Sequence, residues 1–181
     1  ASLSNSVGDR LFVIGNIPYN ISSQILVQLI MKRNFVKKAV LMFQKELARR
    51  MMANPGKKDY GRLTVLLAYC AAISSIATVR ASLFYPMPKI DSEVVEVSFD
   101  VRRQYPPHDE AMLFEVIKVA FGKRRKTLKN ALAGSGLRID PQAAQKALTA
   151  AGIDPGRRAE TLDVDEFVAL QISLAQAQQS S

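Results

Sequence analysis

Leu11-Phe12-Val13-Ile14-Gly15-Asn16-Ile17-Pro18-Tyr19 is the stretch on which the fold turns. Four apolar residues stopped by a glycine read as a short strand buried on both faces of a parallel sheet. Ser22 or Ser23 can cap a helix after it, with Ile25, Leu26, Leu29 and Ile30 on one face. Residues 39–43 read as a second buried strand, and residues 44–54 as a helix ended by Pro55-Gly56. The pattern from Tyr60 to about Ile73 is helical. Residues 76–82 and 94–101 are strand-like, the latter alternating Val95, Val97 and Phe99 with Glu96, Ser98 and Asp100. Strand, helix, strand, helix and two late strands predict an α/β sheet with an antiparallel piece at one end.

The pattern changes at Tyr105-Pro106-Pro107, which divides the chain into residues 1–103 and an all-helical part, 104–181. Met112, Leu113, Val116, Ile117 and Ala120 form one apolar stripe, and a helix over 124–133 follows. Asp140-Pro141 starts the next helix in N-cap and N1 positions, and Gly152 ends it. Asp163, with Glu166 three residues on, reads as a capping box for the last helix.

Composition narrows the function classes. The 181 residues are 48% hydrophobic, ordinary for a folded protein, and no apolar run approaches the roughly 20 residues that span a bilayer. One His and one Cys cannot assemble a zinc shell, so no metal is expected. Cys70 lies among aliphatic residues, reads as core, and fits a reducing cytoplasm. The net charge of +9 is unevenly placed: residues 32–62 carry ten Lys/Arg against two acids, and residues 102–138 carry nine against three. Two basic segments on a mildly acidic background predict a polyanionic partner, although either alone would suit a solvated helix face.

In an open α/β sheet, ligands bind beyond the carboxyl ends of the strands, which puts Asn16, Pro18 and Tyr19 at the mouth of any site. The Asn16 side-chain oxygen and the Pro18 carbonyl are acceptors, and Tyr19 offers a flat face. Two acceptors and a stacking platform suit an exocyclic adenine amine, which has two N–H donors beside a π-face. That nitrogen is a poor nucleophile because its lone pair is delocalised into the ring. Accepting both N–H bonds from off the ring plane favours a pyramidal, more nucleophilic nitrogen, so positioning and electrostatics carry the chemistry.

Five segments in order are similar to those of a known family. Gly15-Asn16-Ile17-Pro18-Tyr19-Asn20-Ile21-Ser22 resembles an asparagine-leucine-proline-tyrosine motif, with Ile17 for the commoner Leu. Gln44-Lys45-Glu46-Leu47-Ala48-Arg49-Arg50 and Asp59-Tyr60-Gly61-Arg62-Leu63 are similar to the helix and turn that follow it. Phe84-Tyr85-Pro86-Met87-Pro88-Lys89-Ile90-Asp91-Ser92 is similar to a Phe-x-Pro-x-Pro-Lys-Val-x-Ser segment. Phe121-Gly122-Lys123-Arg124-Arg125-Lys126-Thr127-Leu128 and Arg158-Ala159-Glu160-Thr161-Leu162 look like its helical domain. The family is that of the KsgA/Dim-type rRNA adenine N6,N6-dimethyltransferases, related to the Erm methyltransferases.

The resemblance implies a Rossmann-like class I methyltransferase sheet followed by a small helical RNA-binding domain. It implies S-adenosylmethionine as cofactor and rRNA of the pre-ribosomal small subunit as partner. By the same resemblance Asn16 and Pro18 accept from the target amine, Tyr19 and Phe84 stack on the adenine, and Asn16 also lies against the cofactor. Lys89, Lys123, Arg124, Arg125, Lys126 and Lys129 would meet RNA phosphate, with solvated surface as the plain alternative. The family's Gly-rich loop and second-strand carboxylate are not found; Gly134-Ser135-Gly136 follows a helix, the wrong context. The chain therefore reads as starting before the fourth strand, with the first three strands absent and activity on its own not expected. A sheet cut at that point exposes an apolar edge and predicts a dimer or other self-association. The competing readings are an Erm-type enzyme acting on large-subunit rRNA and a non-catalytic rRNA-binding assembly factor.

Overall fold

The computed structural model describes residues 10–100, 104–137 and 139–179, which fall into two compact units. The first unit, Ala1–Ala53 with Leu66–Arg103, contains a four-stranded sheet in the order β1-β2-β4-β3. β1 is Leu11–Asn16, β2 Val36–Gln44, β3 Ala72–Val79 and β4 Ser92–Ser98. β1 runs parallel to β2, and β4 is antiparallel to both β2 and β3. The α/β order with an antiparallel end is thus the one the sequence predicts.

Helices α1 (Ser22–Met31) and α2 (Lys45–Met51) follow β1 and β2. Ala39 pairs with Val97 and Leu41 with Val95, so these four side chains share one face; each is at most 1% exposed. Phe43 continues that face, and α2 packs against β2, β4 and β3. Each fully buried aliphatic or aromatic side chain contributes about 1.5–3 kcal/mol relative to exposure. Arg10 fastens the amino end of β1. Its guanidinium donates to the carbonyls of Arg33, Val36 and Phe99 and pairs with Asp100 at 3.2 Å.

Two expectations for this unit change. β1 is not buried on both faces: Phe12 is 65% and Ile14 83% exposed, because β1 ends the strand order with its second face open. α3 (Arg62–Cys70) stops three residues early, and β3 already begins at Ala72. A short apolar run carries no period that separates helix from strand, and pairing with β4 decides it.

The second unit comprises Gln104–Ser181 together with Asn54–Val65. Its helices are α4 (Glu110–Gly122), α5 (Leu128–Ala133), α6 (Pro141–Ala150) and α7 (Val164–Gln179). Leu113, Val116, Ile117, Leu128, Leu132, Leu148 and Phe167 fill the core. Side-chain caps start α4, α5 and α6, the Asp140 cap of α6 where its sequence suggests. Asp109 accepts from the Met112 amide, Thr127 from Asn130, and Asp140 from Gln142 and Ala143. Asp163 and Glu166 form the reciprocal capping box, each amide donating to the other's carboxylate.

Asn54–Val65 is held in this unit by three polar contacts. The Gly56 amide donates to the Glu160 carbonyl at 2.7 Å, Arg124 donates to the Lys58 carbonyl at 2.8 Å, and the Tyr60 hydroxyl donates to the Leu162 carbonyl at 2.8 Å. Burial, then the charges of Asp163 and Glu166, push the Tyr60 phenol well above its ordinary value, so it stays a donor. Among the described residues no helix is long and apolar enough to cross a membrane.

Candidate active site and nucleic-acid interface

Register brings several strand ends to one rim. Asn16 pairs with Met42 near the end of β2, while Ser92 pairs with Gln44 on one side and Val79 on the other. The carboxyl ends of β1, β2 and β3 and the amino end of β4 therefore lie together. This is the edge at which open α/β sheets take ligands.

Residues 16–19 leave the sheet there. Ile17 still donates to the Met42 carbonyl, and a 3-10 turn over Tyr19–Ile21 then closes with the Ile21 amide donating to the Pro18 carbonyl at 3.2 Å. Ser22 does not cap α1, whose N-cap is Ile21 with no side-chain bond. It is buried as the first helical residue, and its hydroxyl donates to the same Pro18 carbonyl at 2.9 Å. Two donors from inside the fold thus fix the direction of that carbonyl. Asn16 is exposed and its side chain makes no hydrogen bond to the described residues, which leaves its oxygen for a ligand. Tyr19 is 39% exposed, and its hydroxyl shares a 3.1 Å bond with Ser92, which is fully buried.

Phe84 and Lys89 lie on the loop from β3 to β4, at the same rim. The loop opens with a 3-10 turn over Ala81–Leu83, and Phe84 donates to the Ala81 carbonyl. Asp91 closes it: its carboxylate accepts from the Ala81 amide at 3.0 Å and its carbonyl from Lys45 at 3.0 Å. Phe84 is half-buried and Lys89 exposed. The structure therefore gathers Asn16, Pro18, Tyr19, Phe84 and Lys89 at one edge of the sheet. Sequence reasoning named Ser22 only as a cap and as the end of one motif, and Ser92 only as the end of another. The spacing of Ser22 four residues after Pro18 was a usable signal, but Ser92 lies 73 residues from Tyr19 and gave none.

The cations of the second unit sort differently from the expectation of a helix start. Residues 123–126 occupy the turn before α5, and only Lys129 is helical. A Thr127 cap starts the helix later than the run of helix formers suggests. Lys123 donates to the Gly134 carbonyl at 2.6 Å, and Arg124 joins Glu160 at 2.8 Å and the Lys58 carbonyl. Lys129 reaches Gln145 at 3.4 Å. Arg125 and Lys126 are exposed, and their side chains have no partner among the described residues.

Toward a nucleoside-type methyl donor the described residues offer Asn16 at a strand end. Asp91 and Glu93 are bonded to neighbouring amides and hydroxyls, and Glu96 pairs with Lys38. These residues do not complete a donor site.

The family model described as ribosomal RNA adenine dimethylase matches residues 2–176. The chain belongs to this family. It is 52% identical over 167 residues to the ribosomal RNA small subunit methyltransferase A of Desulforapulum autotrophicum, covering 92% of the chain and 59% of that protein. The protein of the same name from Geobacillus kaustophilus is 41% identical, with 93% and 58% covered. The chain thus spans about three-fifths of the length of these dimethylase-family relatives. Among solved structures, a dimethyladenosine transferase from Plasmodium falciparum superposes with a TM-score of 0.70 at 26% identity, over 92% of this chain and 67% of that one. The 23S rRNA methyltransferase ErmE gives 0.62 at 25% identity, over 93% and 66%. The α/β class expected of a dimethylase-family member is therefore the class observed.

Proposed function

We propose that the protein carrying this chain transfers methyl groups from S-adenosylmethionine to the exocyclic amine of adenosine in small-subunit rRNA, as a cytoplasmic ribosome-biogenesis enzyme. The observation that carries this reading is the Asn16–Pro18–Tyr19 turn at the carboxyl rim, with an amide oxygen unbonded among the described residues, an oriented carbonyl and an anchored ring. The names of the relatives support the small subunit over the large one. In this reading residues 1–103 belong to the methyltransferase domain, and 104–181 form an RNA-binding domain that Asn54–Val65 joins in packing.

Each proposed residue has a chemical task. Asn16 accepts one N–H of the amine. Pro18 accepts the other beside the Ile21 amide, the rotatable Ser22 hydroxyl being the donor able to give way. Both acceptors face a nitrogen that becomes positively charged as the methyl arrives, so they stabilise the transition state more than the ground state. Tyr19 and Phe84 hold the base plane, and Lys89, Arg125 and Lys126 are the cations best placed to meet phosphate, followed by Lys129. Lys123 and Arg124 instead hold the turn that presents them. The methyl donor would supply an electrophilic sulfonium methyl, and among the described residues Asn16 is the one offered toward it.

Asn16→Ala in the full protein should lower methylation of small-subunit rRNA by about 10²–10³-fold, as loss of one oxyanion-type contact does. Methyl counting on both rRNAs reads this out. Undiminished methylation would overturn the role of Asn16, and methyl groups on large-subunit rRNA alone would move the enzyme to the Erm type.

A further inference from the structure

The loop between β3 and β4 carries side chains that the chemistry above leaves unused. Tyr85 is 102% exposed, Leu83 74% and Met87 70%, values expected of an unfolded peptide rather than of an anchored loop. The loop is nevertheless tied down, by Asp91 on the Ala81 and Lys45 amides and by the Phe84 amide on Ala81. Apolar side chains held out into water on a fixed support mark a contact surface.

Charge and position indicate what covers it. Residues 80–90 include two cations, Arg80 and Lys89, both exposed, and no acid. An exposed aromatic ring, two flexible apolar side chains and flanking cations match a single-stranded nucleic acid, whose bases need π-faces and whose phosphates need cations. The loop also ends at Ser92, which holds the Tyr19 hydroxyl. Asn16 ends β1 and Ser92 begins β4, two strand spacings across and two residues on in register, roughly 12 Å. A strand delivering a base to Asn16 therefore has its next nucleotide within reach of the loop. Turning a base out of its stack also strips its neighbour of a stacking partner, and a protein ring can replace it.

We propose that Tyr85, with Leu83 and Met87 on the same loop, is a stacking platform for the nucleotide adjacent to the target adenosine, with Arg80 and Lys89 on the flanking phosphates. This rests on the methyl-transfer reading of the Asn16 site. Its effect is to favour an adenosine in an unpaired strand over a free nucleoside.

The test is fluorescence anisotropy of this chain with a short single-stranded RNA holding one adenosine. Partner RNAs carry an abasic position beside the adenosine, or purine ribonucleoside, which lacks the amine, in its place. Tyr85→Ala should weaken binding by about tenfold or more, and Tyr85→Phe should restore it. The abasic neighbour should weaken the wild type similarly and leave Tyr85→Ala unchanged. Equal binding by Tyr85→Ala and wild type overturns the platform. So does a Tyr85→Ala defect seen only in sedimentation or on anionic phosphatidylserine vesicles, which would make the loop a protein or lipid contact. A wild type that binds the amine-free RNA equally, with Asn16→Ala showing no change, overturns the methyl-transfer reading and the platform with it. Loss of amine preference in Asn16→Ala alongside normal binding by Tyr85→Ala removes the platform alone.

Discussion

Tyr19 and Ser92 share one hydrogen bond but differ in what surrounds them, and that difference is measurable. Tyr19 is 39% exposed and Ser92 is fully buried. Ser92→Ala leaves a tyrosine hydroxyl that water can reach, so it should cost only about 0.5–1.5 kcal/mol. Tyr19→Phe leaves a buried serine hydroxyl without a partner and should cost about 1–3 kcal/mol. Thermal unfolding should therefore rank Tyr19→Phe below Ser92→Ala, although the substitution is the milder in shape. The reverse order would mean that Ser92 finds another acceptor. At this scale the placing of Asn16, Pro18 and Tyr19 at the carboxyl rim was legible, because an apolar strand stopped by Gly15 puts the residues after it there. Ser22 and Ser92 were not, since a hydroxyl's partner depends on register between strands distant in sequence.

Among the elements, caps were the most readable feature and boundaries the least. Asp140-Pro141 and the Asp163–Glu166 box stand where local chemistry puts them, because a cap is satisfied within four residues. The starts of β3 and α5 were missed, because tertiary pairing and the Thr127 cap override an unpunctuated run. The last cap also titrates. Burial pushes the Glu166 carboxyl up, but the hydrogen bond from Arg157, the Asp163 amide and the Arg157 charge together hold it below its ordinary value of 4.5. A carboxyl with a depressed folded value contributes stability that is complete above the unfolded value and is lost as pH falls through the folded one. The helical unit should thus lose stability below about pH 4.5. Glu166→Gln should lower stability near neutrality and flatten the acid limb of the denaturation profile. An acid limb unchanged in Glu166→Gln would assign the pH dependence to other carboxylates. The pair is about a third exposed, so the loss should shrink with added salt.

At the level of the whole chain, the sheet has more apolar surface than its own helices cover. Ala39, Leu41, Phe43, Val95 and Val97 are sealed on one face, while Phe12 and Ile14 stand open on the other. β1 is also a terminal strand, with one side of its backbone unpaired by the sheet. Lys37, whose ammonium lies 5.7 Å from the Phe12 ring, and Lys38 are charges on the neighbouring β2, and lysine beside an edge strand weakens but does not abolish edge pairing. The apolar run over residues 11–14 announced a strand with two buried faces, and the sequence held no sign of which face lacks a cover. We expect the 181-residue chain to self-associate through β1 at tens of micromolar, because a second copy offers both a strand edge and an apolar face of the same kind. Ile14→Lys places like charges across such a contact and should shift sedimentation to the monomer. A matched change at Ile76, 54% exposed on β3, should not. A wild-type monomer at those concentrations would show that the open face is tolerated in water. Dissociation by the Ile76 change alone would place the contact on β3, at the opposite end of the strand order.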